Sequence, residues 1–398
     1  MKYDMVFEGG GAKGMVFVGA LKSFEAGGNT PGRLLGTSAG AIAASLVAAG
    51  YGSQELEAAL AEKKDGVSIF TGFIGLPAPF DKKDLQDNDL VTLLKNINIP
   101  LLPMGIEKKI DQTLVDWLAE QPEDRHVFSF VQYGGWFSAD NFLSWLEAKM
   151  DAGAFRGKPR NFSGMTLEEF HTATQADLSL VAADISGQIM MVLNHRTAPQ
   201  CPLVWAVRMS MSIPLIWQEV VWQPEWGPYR GQDIRGHTIV DGGLISCFPI
   251  ELFLSSLKDV TDVMGPKGSD PVLGLLIDET LPVPGTEQPS AQKPAFSLDE
   301  LQTVRRLKGL LDTALSAHDK MVEDAYEKIV VHLPAKGYGT TEFNMSDQRR
   351  SLLVSAGEKA MAAYLTGAST AESGLDEVEA ARMARNADRV AAKILGTA

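Results

Sequence analysis

The sequence predicts a three-layer α/β/α sandwich with a mainly parallel central sheet, elaborated by helical insertions and a C-terminal helical segment. Three observations predict it. Over residues 1–50 the chain alternates short apolar runs, glycine turns and helical stretches, in the order strand, turn, helix, strand, turn, helix. Further apolar, β-rich runs recur much later, at 178–194, 237–243 and 272–279. With 398 residues, 45% of them hydrophobic, the chain is long enough to bury such a core as one domain with insertions.

The elements follow in order. "YDMVFE" (3–8) is a β-rich run that ends at three glycines, and "AKGMVFVGALKSFEAGG" (12–28) is helical up to its Gly27-Gly28 stop. "RLLG" (33–36) reads as a short second strand and "AGAIAASLVAAG" (39–50) as an alanine-rich helix. From 66 to 110 the pattern loosens, and "GVSIFTGFIGLPAPF" is apolar but broken by Gly and Pro. "NFLSWLEAKM" (141–150) and "TLEEFHTA" (166–173) read as helices. "LSLVAADISGQIMMVLN" (178–194) gives two strands around Ser186-Gly187, and "PLVWAVRMSMSIPLIW" (202–217) a helix that ends before Pro214. "HTIVDGG" (237–243) and "VLGLLIDE" (272–279) are further strands. Residues 280–297 have the composition of a mobile loop, ahead of an amphipathic stretch at 298–327. "KIVVHLP" then reads as a late strand and "DQRRSLLVSAGEKAMAAYL" as a helix. The expected division is a main domain at 1–366, with an insertion or lid candidate at 66–150, and a helical tail at 367–398. There is no internal repeat.

The 36 basic against 50 acidic residues give a formal charge of −14. That balance argues against a nucleic-acid partner and against electrostatic attachment to anionic lipid, while leaving room for a local basic patch. Two cysteines, Cys201 and Cys247, are too few for a disulfide framework and read as buried thiols in a reducing compartment. The N-terminus carries Asp4 and Glu8 and lacks a secretory apolar core. No uncharged run approaches the roughly 18–20 residues of a membrane span. A soluble, cytoplasmic protein is expected, with export by a route lacking a cleaved signal left open.

Three motifs carry chemistry. In "EGGGAKG", Gly9, Gly11 and Gly14 satisfy the dinucleotide-binding pattern after a strand and before a helix. That mechanism wants an acid at the end of the second strand, where this chain has Gly36-Thr37-Ser38. A phosphate-binding P-loop also fails, because Met15 follows Gly14. A glycine loop at a helix start can equally cradle an oxyanion. In "GTSAG", Ser38 lies between a strand and a helix, as at a nucleophile elbow, with Gly36 and Gly40 relieving a tight bend. The helix from Ala39 would point its positive end at a developing oxyanion. In "TIVDGG", Asp241 ends a β-branched strand at two glycines, which is either a turn or a carboxylate at the mouth of a sheet. Burial can raise such a carboxyl to a useful basicity. His126, His171, His195, His237, His318 and His332 all lack a glycine-bracketed strand-end context and read as structural or exposed.

The set "GGGAKG", "GTSAG" and, 203 residues beyond Ser38, "DGG" resembles the patatin-like phospholipases. "LVAADISGQ", "AVRMSMSIP", "FPI" and "GYGTTEF" add to the likeness, which extends in pieces over residues 1–365. The resemblance implies lipid acyl hydrolysis by a Ser38–Asp241 dyad without a catalytic histidine, metal or cofactor. It implies an oxyanion hole from the backbone at Gly9, Gly10, Gly11 and Ala39. Lys13, Gly14, Gly36, Gly40, Gly242 and Gly243 would support these loops. A lipid or lipid-like ester is the implied partner, met transiently at a membrane or micelle surface; oligomeric state stays open. On this reading Phe70, Phe73 and Phe80 belong either to an apolar lid or to an extra core layer. Two alternatives stand beside it: a Ser-His-Asp carboxylesterase using His318 or His332, and a nucleotide-binding protein using the glycine loop.

Overall fold

The computed structural model describes residues 1–73, 77, 122–286, 326–340, 342–370 and 377–395. Eight strands form its central sheet: β1 (Lys2–Phe7), β2 (Thr30–Thr37), β3 (Leu178–Asp184), β4 (Ile189–Leu193), β5 (Val220–Val221), β6 (Thr238–Asp241), β7 (Val272–Pro282) and β8 (Val330–Lys336). The path is β5-β6-β3-β2-β1-β7-β8, with β4 also on β3. From β3 to β8 neighbours along this path are parallel. Antiparallel pairing is confined to β4 and β6 on β3 and to β5 on β6.

The strands read as continuous apolar runs because both faces of the sheet are covered. Met5 and Phe7 of β1 point into one core and Val6 into the other, and all three are fully buried. The first core is packed by α1 (Val16–Ala26), α2 (Ala39–Ala48), α3 (Ser53–Leu60), α5 (Asp140–Asp151), α6 (Leu167–Thr174), α7 (Leu203–Ser210) and α10 (Asp347–Thr370). The intervening α4 is Pro122–Tyr133. Helices α1 and α10 cross closely, and a Cβ on Gly19 would lie 1.8 Å from the Val354 carbonyl oxygen.

The second core is packed by α8 (Glu251–Leu254), α9 (Lys258–Met264) and α11 (Glu377–Ile394). In α11 the four-residue spacing of Met383, Ala387 and Ala391 makes one buried face. Asp388 anchors the helix by accepting from Ser255 Oγ at 2.7 Å and from the Ser256 N–H at 2.9 Å. The helix that the sequence ends near 365 continues to Thr370.

Phe70 and Phe73 pack against each other at 4.9 Å, and Phe73 meets Phe142 and Trp145 at 5.3 Å each. Phe73 is buried and Phe70 partly so, which makes both part of the core; Phe80, His318 and residues 287–325 lie outside the described residues. Of the two cysteines only Cys201 is buried; Cys247 is half-buried, which corrects the expectation of two buried thiols.

Candidate active site

Ser38 sits at a sharp bend between β2 and α2, with φ 54° and ψ −119°. A non-glycine residue in that region is strained, and such strain persists only where the surroundings enforce it. The enforcement comes from close backbone approach. A Cβ on Gly36 would lie 2.3 Å from the Gly40 carbonyl oxygen, and one on Gly40 would lie 2.1 Å from that of Phe7. Only glycine on both sides of the bend lets α2 start this near β1 and β2.

Strand register brings the acid to the serine. Thr37 of β2 pairs with Val181 of β3, and Asp241 of β6 pairs with the next residue, Ala182. A strand has two hydrogen-bonding edges, and β4 occupies one of them along Leu180–Asp184. So β2 and β6 share the other edge, and they meet there with their C-terminal ends together. The end of α7 clamps this junction. Ser210 Oγ accepts from the Ser38 N–H at 3.0 Å and donates to the Val181 carbonyl at 2.6 Å. The Ser212 carbonyl accepts from the Asp241 N–H at 2.9 Å. The buried Arg208 guanidinium donates to Ser212 Oγ and, at 2.7 Å, to the Gln218 carbonyl. Burial pulls the Arg208 pKa down to about 9, partly opposed by the Asp140 charge.

Asp241 is itself buried. Burial pushes its carboxyl up to about 7, against hydrogen bonding from the Ser38 hydroxyl and the Gly243 N–H. The Gly243 N–H reaches Oδ1 at 2.7 Å, while Oδ2 has no well-formed hydrogen bond. The Ser38 hydroxyl thus acts on the Asp241 carboxyl without completing a hydrogen bond to Oδ2. Such loose geometry is common at an unliganded nucleophile–base pair.

The glycine loop lies against the same serine, and a Cβ on Gly9 would stand 3.2 Å from Ser38 Cβ. The Gly9 N–H, however, donates to the Cys247 carbonyl at 3.0 Å. That corrects its expected place among oxyanion donors, since a donor committed to the scaffold is not offered to a substrate. Beyond it, Ala12 N–H bonds the Thr340 carbonyl at 2.9 Å and Lys13 N–H the Gly10 carbonyl at 3.3 Å, which pins the loop on both sides. The Lys13 ammonium is buried and paired with Glu279, and Glu8 accepts from the Ile277 N–H. Gly14 packs on Ala39, and Gly242 on the Val181 carbonyl.

The described histidines are engaged elsewhere. His332 contacts Asp278 at 3.0 Å, His237 contacts Asp184 at 2.7 Å, and His126 contacts the Trp136 carbonyl at 2.7 Å. His171 and His195 stack on one another at 3.7 Å. Burial, ahead of the Arg196 charge, lowers the His195 pKa to about 4.

Ser38 opens into a pocket that is partly open to solvent. Gly11 and Ala39 line it beside the serine, and Ile42, Leu60, Phe73, Trp217 and Phe343 are among its apolar walls. Asp241 is not in the wall, and neither is Lys13, so the lysine of the glycine loop is not presented for phosphate contact. Ser210, Ser212 and Arg208 were not among the sequence-derived site residues. Their one signal is a pair of serines, Ser210 and Ser212, that follow Arg208 where a mostly apolar helix ends.

A family model for patatin-like phospholipases matches residues 5–254, which takes in all three motifs. The uncharacterized protein YqhO of Bacillus subtilis (strain 168) is 26% identical over 373 residues, covering 92% of this chain and 98% of that protein. Among solved structures, VipD from Legionella pneumophila is similar over 92% of this chain and 67% of its own, at 15% identity and a TM-score of 0.43. The type III effector ExoU of Pseudomonas aeruginosa is similar at 16% identity and a TM-score of 0.40. That likeness covers 92% of this chain and 53% of ExoU, so the chain spans about half of ExoU's length. With a family match that spans more than half of its residues, the chain belongs to the patatin-like phospholipase family.

Proposed function

We propose that the protein hydrolyses carboxylic esters of lipids, phospholipids or lysophospholipids, with Ser38 as nucleophile and Asp241 as its base. The observation that carries this reading is the meeting of β2 and β6 on one edge of β3, beside a carboxyl that burial pushes up to about 7. A carboxylate of that basicity is matched to taking a proton near neutral pH, which an ordinary aspartate is not.

Ser38 Oγ attacks the acyl carbonyl as Asp241 takes its proton. The oxyanion accepts from the N–H groups of Gly10 and Gly11 and from Ala39 at the positive end of α2. Collapse expels the alcohol or lysolipid, which receives the proton from Asp241. Water then attacks the acyl-serine, giving its proton to Asp241, and the fatty acid leaves as Ser38 recovers its hydrogen. The apolar pocket holds the acyl chain. No described helix is long and apolar enough to cross a membrane. We place the enzyme in the cytoplasm, meeting lipid transiently.

The test is hydrolysis of p-nitrophenyl esters of graded chain length, with EDTA present, by the unmodified protein and by S38A, D241N and H332A. S38A and D241N should each lose about 10³-fold or more in kcat, and H332A should keep its activity. Equal loss in H332A and S38A would establish a histidine triad instead.

A further inference from the structure

The pocket carries one feature that ester hydrolysis alone does not require. Its wall is apolar except for Ser68, Glu342 and Arg350 beyond Ser38. Glu342 is neutralised by Arg349, whose Nε and Nη2 reach its two oxygens at 2.6 and 3.0 Å. Arg350 Nη2 meets Asp347 Oδ1 at 2.6 Å, and the other oxygen of Asp347 takes Lys63 Nζ at 2.5 Å. Lys63 is the cross-strand partner of Ser68, so its hairpin borders the same pocket. The cluster therefore holds three cations, Lys63, Arg349 and Arg350, against two carboxylates, Glu342 and Asp347. It is locally positive in a chain whose formal charge is −14.

The two partners of the Arg350 pair differ in setting. The Arg350 side chain is 17% exposed, whereas that of Asp347 is 60% exposed. Among described residues Asp347 takes one Arg350 donor, and the rest of the guanidinium fork has no partner there. An exposed carboxylate that gives Arg350 only one such bond, its other oxygen being held by Lys63 at the surface, can yield its place on Arg350 to a ligand anion that engages more of the fork.

Resting on the acyl-hydrolase reading, we propose that Arg350 forms an anion subsite at this pocket. It selects lipid esters that carry a phosphate or carboxylate near the scissile bond, and Asp347 occupies the subsite until such a ligand arrives. The anionic group displaces Asp347 towards solvent and takes its place on Arg350. The acyl chain enters the apolar part of the pocket beside Ser38.

Binding to S38A, measured by titration calorimetry below the micelle concentrations, separates this from turnover. The probes are dodecyl phosphate, neutral 1-O-dodecylglycerol and inorganic phosphate. Dodecyl phosphate should bind about tenfold more tightly than the neutral lipid, and inorganic phosphate, lacking a chain, should not compete at equal concentration. Adding R350Q should bring the two lipids within about twofold. Adding D347N instead should tighten dodecyl phosphate several-fold, a gain that damage to the fold does not produce. Equal affinity for the two lipids, an unchanged ratio in R350Q, or weaker binding in D347N overturns the subsite. Dodecyl phosphate selectivity that depends on Arg350 in a protein that hydrolyses no ester would keep the subsite and remove the reaction.

Discussion

The raised proton affinity of Asp241 acts on catalysis and on stability with opposite signs. In its proposed role as base, Asp241 must be ionised, so kcat/KM should rise through pH 7 and fall about tenfold per unit below it. For stability, the folded pKa of about 7 lies above the unfolded value of about 3.9. Between those values the native state binds a proton that the unfolded chain has released. Stability therefore declines as pH rises through this window, and above pH 7 the full cost of a buried charge is present. At about 1.4 kcal/mol per unit, that cost is at most about 4 kcal/mol. D241N cannot ionise, so its melting temperature relative to the unmodified protein should increase between pH 5 and pH 8, while its activity stays lost. Scanning fluorimetry across that range checks it, and a difference independent of pH would contradict a buried, titrating Asp241. Ser38 and Asp241 were legible as candidates because Gly36 and Gly40 flank Ser38 at one strand end and two glycines follow Asp241 at another. The commitment of the Gly9 N–H was not, because its acceptor, the Cys247 carbonyl, belongs to a turn 238 residues away.

Among the elements, α7 and the residues just after it join Ser38 to Asp241. The last residue of α7 fixes Ser38 through the Ser210 hydroxyl, and Ser212, two residues beyond it, fixes Asp241 through its carbonyl, so one short stretch sets the gap between residues from two strands. S210A would leave the Ser38 N–H and the Val181 carbonyl unpaired in a buried place, a loss of about 1–3 kcal/mol. If part of it appears only when Ser38 is being held for attack, kcat should drop about 10- to 100-fold with KM little changed. S210T, which keeps the hydroxyl, should recover most of the rate. Steady-state kinetics on a short p-nitrophenyl ester will decide, because a purely structural role would lower stability in S210A and leave kcat per folded molecule intact. The alternation of strands and helices was legible from apolar periodicity and glycine stops. The end-to-end meeting of β2 and β6 was not, since it depends on a one-residue step in register along β3. Phe70 and Phe73 were ambiguous for a different reason. An apolar segment broken by glycine reads alike whether it covers a pocket or fills a core, and here these two side chains do both.

At the scale of the molecule, charge sets how lipid is met. With −14 formal charges, the protein repels an anionic bilayer over a range set by salt, about 30 Å at 0.01 M and about 10 Å at 0.1 M. The positive cluster at the pocket is a single excess charge, so it acts on a ligand already in contact and not on approach. Long-range repulsion and short-range selection therefore concern different encounters: a packed anionic surface is disfavoured, and a dispersed anionic lipid is accepted. In flotation at 10–20 mM salt, binding to vesicles rich in anionic lipid should be weaker than to zwitterionic vesicles. Raising the salt to about 0.3 M should narrow the gap, because screening removes the repulsion and leaves the apolar contribution untouched. Stronger binding to anionic vesicles at low salt would mean that a local basic face outweighs the net charge, and the protein would then work as a surface-attached enzyme. The predicted order instead makes single lipids and micelles, delivered one chain at a time, the form of substrate that the Ser38 pocket meets.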